Sequence, residues 1–121
     1  MFSKKRKFGN KGEDLACKYL QSKGFSILKR NYQSKFGEID IIIRKNREII
    51  FVEVKTSKHD SYINPEENFN REKIRKLLKT IEFYLIENKI PENYSYRLDL
   101  ITVVLNLSEK TAKIKHFKQV L

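Results

Sequence analysis

The stretch GEIDIIIRKNREIIFVEVKTS, from Gly37 to Ser57, decides how this chain folds. Gly37–Arg44 and Glu48–Thr56 are rich in Ile and Val and read as two β-strands. Asn46-Arg47 between them fits a two-residue hairpin loop, the commonest tight connection, with Asn able to take the positive φ such turns need. Lys45 then pairs with Glu48, Asp40 faces Glu53, and Glu38 faces Lys55. Those four charged residues share one sheet face with Ile42 and Phe51 as a hydrophobic floor. The other face, Ile39, Ile41, Ile43, Ile50, Val52 and Val54, is wholly apolar and must be core. A slip of one residue would drive the carboxylates into that core. A longer loop would change the cross-strand pairs, yet Glu53 and Lys55 stay on one face of any regular strand.

Two carboxylates side by side repel, so something cationic must compensate: Lys55, a metal ion, or both. Mg²⁺ prefers oxygen ligands, commonly one or two carboxylates completed by water and substrate phosphate. Lys55 is placed to orient a water or to stabilise charge developing on a phosphate oxygen. The set suits attack of water on a phosphodiester. The same pattern also reads as a solvated sheet face with ordinary ion pairs, an arrangement that is frequent and weakly stabilising. The Ile-rich strands, the register and the charge of the chain favour the site.

The surrounding sequence supplies the order α-β-β-β-α-β-β. A first helix starts near Asn10 and stops before Gly24, a good residue for the left-handed position after a helix. Glu13 lies at the border of its apolar face, formed by Leu15, Ala16, Tyr19 and Leu20. Phe25–Arg30 is the first strand. A long loop, residues 57–63, follows the third. Asn64-Pro65 resembles a helix start, and Asn70 offers a second cap. Ile74, Leu77, Leu78, Ile81 and Leu85 make a helical stripe that ends before Pro91. Tyr96–Asn106 and Thr111–Val120 are the last strands. The order predicts an α/β sandwich around a mixed central sheet. Residues 9–121 form one domain, preceded by a basic arm, residues 1–8, expected to be mobile.

The chain has 121 residues, 40% hydrophobic and 34% charged, which favours a globular domain over disorder. Its net charge of +11 attracts polyanions, nucleic acid first and an anionic membrane surface second, or serves solubility alone. No apolar run exceeds Ile49–Val52 or Phe83–Ile86, so no transmembrane helix is expected. The lone Cys17 has no internal disulfide partner, which fits a reducing cytoplasm. One Cys with His59 and His116 gives no closed zinc set. No Ser-His-Asp signature and no Gly-rich phosphate loop is present. Basic and aromatic residues interleave at Arg30, Asn31, Tyr32, Lys35 and Phe36, as nucleic-acid contacts or as a loop packed on the core. Lys73, Arg75, Lys76 and Lys79 lie on the polar side of the second helix. Arg97 and Asp99 either line the face of Asp40 or pair with their neighbours.

Asp40…Glu53-Val54-Lys55 resembles the PD-(D/E)XK nuclease core. More closely, the chain resembles the YraN-like proteins, uncharacterised protein family 0102. The likeness covers nearly everything after the basic arm: GNKGEDLACKYL (Gly9–Leu20, with Gly12, Glu13 and Ala16 at recurrent positions), LKRN (Leu28–Asn31), GEIDIII, FVEVKTS, Lys73 and YRLDLITV (Tyr96–Val103). Ser57 and Lys58 stand where the family often has Arg, and Leu98 where it has Phe.

The resemblance implies a restriction-endonuclease-like, three-layer sandwich and a Mg²⁺- or Mn²⁺-dependent endonuclease acting on DNA, including branched or structured DNA. It implies Asp40 and Glu53 as metal ligands, Lys55 as the catalytic lysine, and Glu13 joining the metal site. Glu13 also reads as an exposed first-turn acid favoured by the helix dipole, and Glu38 as a site residue or a partner of Lys55. Arg30, Lys58 and Lys73 are expected nucleic-acid contacts. A homodimer is expected by analogy with resolvases. The alternative is a non-catalytic nucleic-acid-binding module on the same scaffold, and a third reading is contact with an acidic protein partner.

Overall fold

The computed structural model describes residues 4–60 and 69–121. Its elements run α1 (Lys4–Ser22), β1 (Ser26–Ser34), β2 (Gly37–Lys45), β3 (Glu48–Lys58), α2 (Arg71–Glu87), β4 (Ser95–Asn106) and β5 (Thr111–Phe117). The strands form one sheet in the order β1-β2-β3-β4-β5. Only β3 and β4 are parallel; the other neighbours are antiparallel. The parallel pair needs a crossover, and α2 is that crossover. The mixed α/β architecture therefore follows the expected element order.

Each helix covers one side of the sheet. Ala16, Cys17 and Leu20 of α1 pack on Ile41, Ile43, Ile50, Val52, Ile101 and Val103. Leu77, Ile81 and Tyr84 of α2 pack on Tyr32, Ile39, Ile42, Ile49, Phe51 and Leu98. The central strands are buried on both faces, which is why they read as continuous apolar runs.

The β2–β3 hairpin has the expected register, with Lys45 opposite Glu48, Ile42 opposite Phe51, and Ile41 opposite Val52. Asn46 takes φ +55° while Arg47 keeps a negative φ, so the turn puts its one left-handed demand on the residue that meets it readily. Asn70 caps α2, its side chain accepting from the Lys73 amide at 2.9 Å. Gly24, at φ +90°, follows α1 as expected, and the Phe25 amide donates to the Leu20 carbonyl.

Other boundaries moved. Helix α1 begins at Lys4 rather than near Asn10, so residues 4–8, expected as an arm, belong to the helix. Strand β1 extends to Ser34, paired along its length with β2. Strand β3 continues to Lys58 because β4 pairs with it as far as Leu105. Strand β5 stops at Phe117. The helix start expected at Asn64-Pro65 lies outside the described residues.

Helix α1 approaches the sheet with its backbone. Gly12 is buried, and a Cβ there would overlap the side chain of Thr56 on β3. This contact sets the height of the next residue, Glu13, over the sheet. Gly12→Ala is expected to lower unfolding free energy by about 1–3 kcal/mol, and Thr56→Ala in that background to restore part of the loss. Chemical denaturation of the two single variants and the double variant checks this. Additive losses would contradict a direct contact.

Candidate active site at the fork of strands β2 and β3

The site begins where the hairpin stops being a hairpin. The β2–β3 ladder ends at Ile41–Val52, and Asp40 is not matched with Glu53 across it. Instead the Val54 amide donates to the Asp40 carboxylate at 2.8 Å. A side chain thus replaces a carbonyl as the acceptor, and the strands diverge. On the other side of β2, Asn31 takes φ +52° in β1, between the pairs Arg30–Ile41 and Tyr32–Ile39. The consequence is visible in the core: Ile41 and Ile43 pack under α1, whereas Ile39 packs with Tyr32 in the layer of α2. The expectation that Ile39, Ile41 and Ile43 share one face is corrected by this break at Asp40. The pair Glu38–Lys55 does not form either, because the strands have separated before reaching it.

Strand β3 stays regular through the fork, held by parallel pairing to β4. Val52 and Val54 point under α1, so Glu53 points to the layer of α2. There Lys73, in the first turn of α2, reaches Glu53 at 3.3 Å. The Glu53 side chain is 12% exposed. Gly37, Glu38, Asp40, Glu53, Lys73, Lys76 and Leu77 line a cleft of about 190 Å³. From the α1 side comes Glu13, 14% exposed, whose nearest cation is Arg30 at 3.9 Å. That is too long for a hydrogen bond, and Glu13 Oε1 is buried with no hydrogen-bond partner among the described residues.

Four acids, Glu13, Glu38, Asp40 and Glu53, therefore converge on the fork, and the raised proton affinities of three of them record it. Burial, then the Asp40 charge, raise Glu53 to about 7, with Lys73 opposing. Burial, then Asp40, raise Glu13 to about 7, with Arg30 opposing. Burial raises Asp40 while the Val54 amide opposes. Buried acids that raise one another's pKa are short of positive charge.

The donor chemistry fits a hard cation such as Mg²⁺ or Mn²⁺: carboxylate oxygens, one of them orphaned, beside an open cleft that admits water. Asp40 and Glu53 are the residues that would hold it. No group of three His, Cys, Asp or Glu among the described residues stands close enough to hold a metal ion as arranged, and Glu13 is tied to the fork through the Asp40 charge that raises its pKa.

The other expected residues are placed less centrally. Lys55 is exposed and does not line the cleft. Lys58 ends β3, exposed, opposite Leu105. Arg30 is engaged by Asp14 at 2.8 Å. The Ser57 hydroxyl is buried without a partner. Lys73, expected as a nucleic-acid contact, is the immediate partner of Glu53; nothing in helical periodicity showed that the start of α2 would lie over β3. Arg97 and Asp99 do not line the fork. Asp99 is fully buried and accepts from Arg97 at 3.0 and 3.2 Å and from the Gln119 amide at 2.9 Å. It also lies 2.7 Å from His116 Nε2, and Arg97 reaches Glu48 at 2.9 Å. These bonds hold the Asp99 carboxyl below the usual range despite burial. The described residues thus hold two contrasting acidic centres, one saturated with donors and one short of them.

That contrast gives opposite stability effects. The raised Glu53 pKa means the folded state binds a proton more readily than the unfolded state between pH 4.5 and about 7. Its contribution to stability is greatest below that window and falls as pH rises through it. Glu53→Gln is expected to raise unfolding free energy at pH 8 by about 1–3 kcal/mol and to change it little at pH 5. Asp99→Ala removes the shared acceptor of half-buried Arg97, the buried side chain of His116 and the Gln119 amide and is expected to cost about 3–5 kcal/mol at pH 7. Urea titrations at the two pH values check both, and loss of stability in Glu53→Gln at pH 8 would contradict this reading of the fork.

The comparisons with known proteins agree on one grouping. A family model described as "Uncharacterised protein family UPF0102" matches residues 12–103, from Gly12 through Val103. A UPF0102 protein of Campylobacter jejuni is 49% identical over 92 residues, covering 76% of this chain and 79% of the relative. One from Persephonella marina is 44% identical over 98 residues, covering 81% and 84%. One from Thermotoga petrophila is 50% identical over 78 residues, covering 64% and 70%. The matched span holds Gly12, Glu13, the forked strands and Lys73, and on this evidence the chain belongs to the uncharacterised protein family UPF0102.

Proposed function

We propose that this protein is a metal-dependent nuclease that hydrolyses phosphodiester bonds in DNA, on a restriction-endonuclease-like fold. The observation that carries the proposal is the fork itself. Asp40 and Glu53 stand at a break in strand pairing, both largely shielded from solvent, with the Asp40 charge raising the Glu53 pKa, beside an open cleft. Buried acids left short of positive charge beside a cleft are characteristic of functional sites. The net charge of +11 supplies the attraction for a polyanionic substrate.

A divalent cation held by Asp40 and Glu53 would supply Lewis acidity and a nucleophilic water at neutral pH. The chain's own residues do the rest. The Val54 amide fixes the rotamer of Asp40. Lys73 holds Glu53 from the α2 side until substrate or cation competes for it. Lys55 shares the strand face of Glu53 and is exposed, so its long side chain swings to a phosphate once a strand is bound. Glu13, with its pKa near 7, takes or gives a proton at the edge of the fork.

A second reading is a nucleic-acid-binding module without catalysis. It is favoured by one observation: Lys73 already partners Glu53, while Lys55 stands outside the cleft. The two readings separate cleanly. Under the first, wild-type protein cleaves labelled DNA in Mg²⁺ or Mn²⁺, and Asp40→Ala or Glu53→Ala lowers the rate by about 100-fold or more while salt-sensitive binding persists. Wild-type protein that binds a panel of linear, flapped and four-way DNAs with either metal but cuts none of them would overturn the first reading and leave the second.

A further inference from the structure

We infer that Phe36 is a stacking platform for an unpaired base, so that the substrate carries unstacked nucleotides within a short reach of the phosphate in the cleft. This inference rests on the proposed nucleic-acid function and narrows it. Phe36 sits in the turn between β1 and β2, next to Gly37, which lines the cleft. The turn is fixed locally: the Phe36 amide donates to the Ser34 hydroxyl at 3.1 Å, and that hydroxyl donates to the Gly37 carbonyl at 3.2 Å. On the α2 side Phe36 meets Phe83 edge-on, ring centroids 6.2 Å apart. An edge contact secures a ring without covering its face with another ring. The side chain is accordingly only partly buried.

Two ammonium groups stand over that ring, Lys35 at 5.3 Å and Lys79 at 5.7 Å. Lys79 is the last of three lysines, with Lys73 and Lys76, spaced along one side of α2 from the carboxylates to the platform. The run from Lys73 to Lys79 rises about 9 Å. A strand laid along it meets ammonium groups for its phosphates and, at the far end, an aromatic ring whose two lysine ammonium groups a stacked base displaces toward its own phosphates. Aromatic stacking flanked by basic groups is how single strands are held without sequence preference. Phe has no hydrogen-bonding group, so it reads no base edge. A base within a duplex has both faces covered by its neighbours. Only a base released from pairing can lie on Phe36, and this selects substrates with unpaired nucleotides beside the cleavage position.

The test uses the full chain in EDTA, which prevents cleavage. Binding is measured for an oligonucleotide with an unpaired segment carrying 2-aminopurine and for a blunt duplex of the same length. The wild type is expected to bind the unpaired segment more tightly and to quench 2-aminopurine. Phe36→Ala should weaken that binding by about 5- to 100-fold and leave the duplex within about twofold. Phe36→Leu, which keeps apolar packing against Phe83 but has no π face, should fold normally and lose the quenching even if the alanine variant does not fold. Phe36→Trp should retain both signals. Equal affinity of the wild type for both DNAs with Phe36→Leu unchanged overturns the stacking inference and leaves nucleic-acid binding intact. Equal weakening of both DNAs by Phe36→Leu also overturns it. Failure of the wild type to bind either DNA overturns the proposed nucleic-acid function and this inference with it.

Discussion

A single backbone amide, that of Val54, donates to the carboxylate of Asp40 rather than to a carbonyl of β2. In a continuous hairpin the next pair after Ile41–Val52 would have placed Asp40 against Glu53 and sealed both into the sheet. The substitution of side chain for carbonyl keeps the buried donor satisfied, as it must be, while the two strands part. Everything else at the site depends on that parting. Ile39 turns into the α2 layer with Tyr32, Asp40 lies between the helical layers, and a cleft opens between β2 and the start of α2.

The two helices bring opposite contributions to the opening. Helix α1 arrives backbone-first, because Gly12 has no side chain to hold it away from Thr56, and delivers an acid, Glu13. Helix α2 arrives capped by Asn70, with its first turn over β3, and delivers a cation, Lys73. The orientation of α2 is favourable in itself, since the N-terminal end of a helix attracts negative charge. Even so, one ammonium group against several acids leaves a deficit, seen in the raised pKa values of Glu13, Asp40 and Glu53. On the far part of the sheet Asp99 is satisfied by Arg97, His116 and the Gln119 amide. The same fold that saturates one buried acid leaves another group of acids unsaturated, and the proposed chemistry rests on that contrast.

Much of this was legible in residues 37–57. Period-two alternation with an Asn-Arg turn was enough to fix the hairpin register, and the register put Asp40 near Glu53. The helical stripe from Ile74 to Leu85 and the Asn70 cap located α2. What alternation could not show is where it breaks. The left-handed Asn31 and the carboxylate acceptor at Asp40 are tertiary choices between neighbouring strands, and neither leaves a mark on the apolar pattern of GEIDIII. Lys55 was expected at the centre from strand spacing and from the family likeness; it is exposed on the strand face of Glu53 without lining the cleft, and Lys73, remote in sequence, lies beside Glu53. The arm that became the start of α1 was misplaced for a simpler reason: a lysine-rich run has adequate helix propensity, and charge alone does not exclude it from a helix.

The central claim is that the fork is built to receive a divalent cation. Mn²⁺ titration followed by the loss of the free-ion electron paramagnetic resonance signal tests it without requiring substrate or turnover. The account predicts saturable Mn²⁺ binding by the wild type at pH 7.5, competed by Mg²⁺, and lost in Asp40→Asn and in Glu53→Gln. Absence of binding by the wild type, or binding unchanged in both variants, would contradict it.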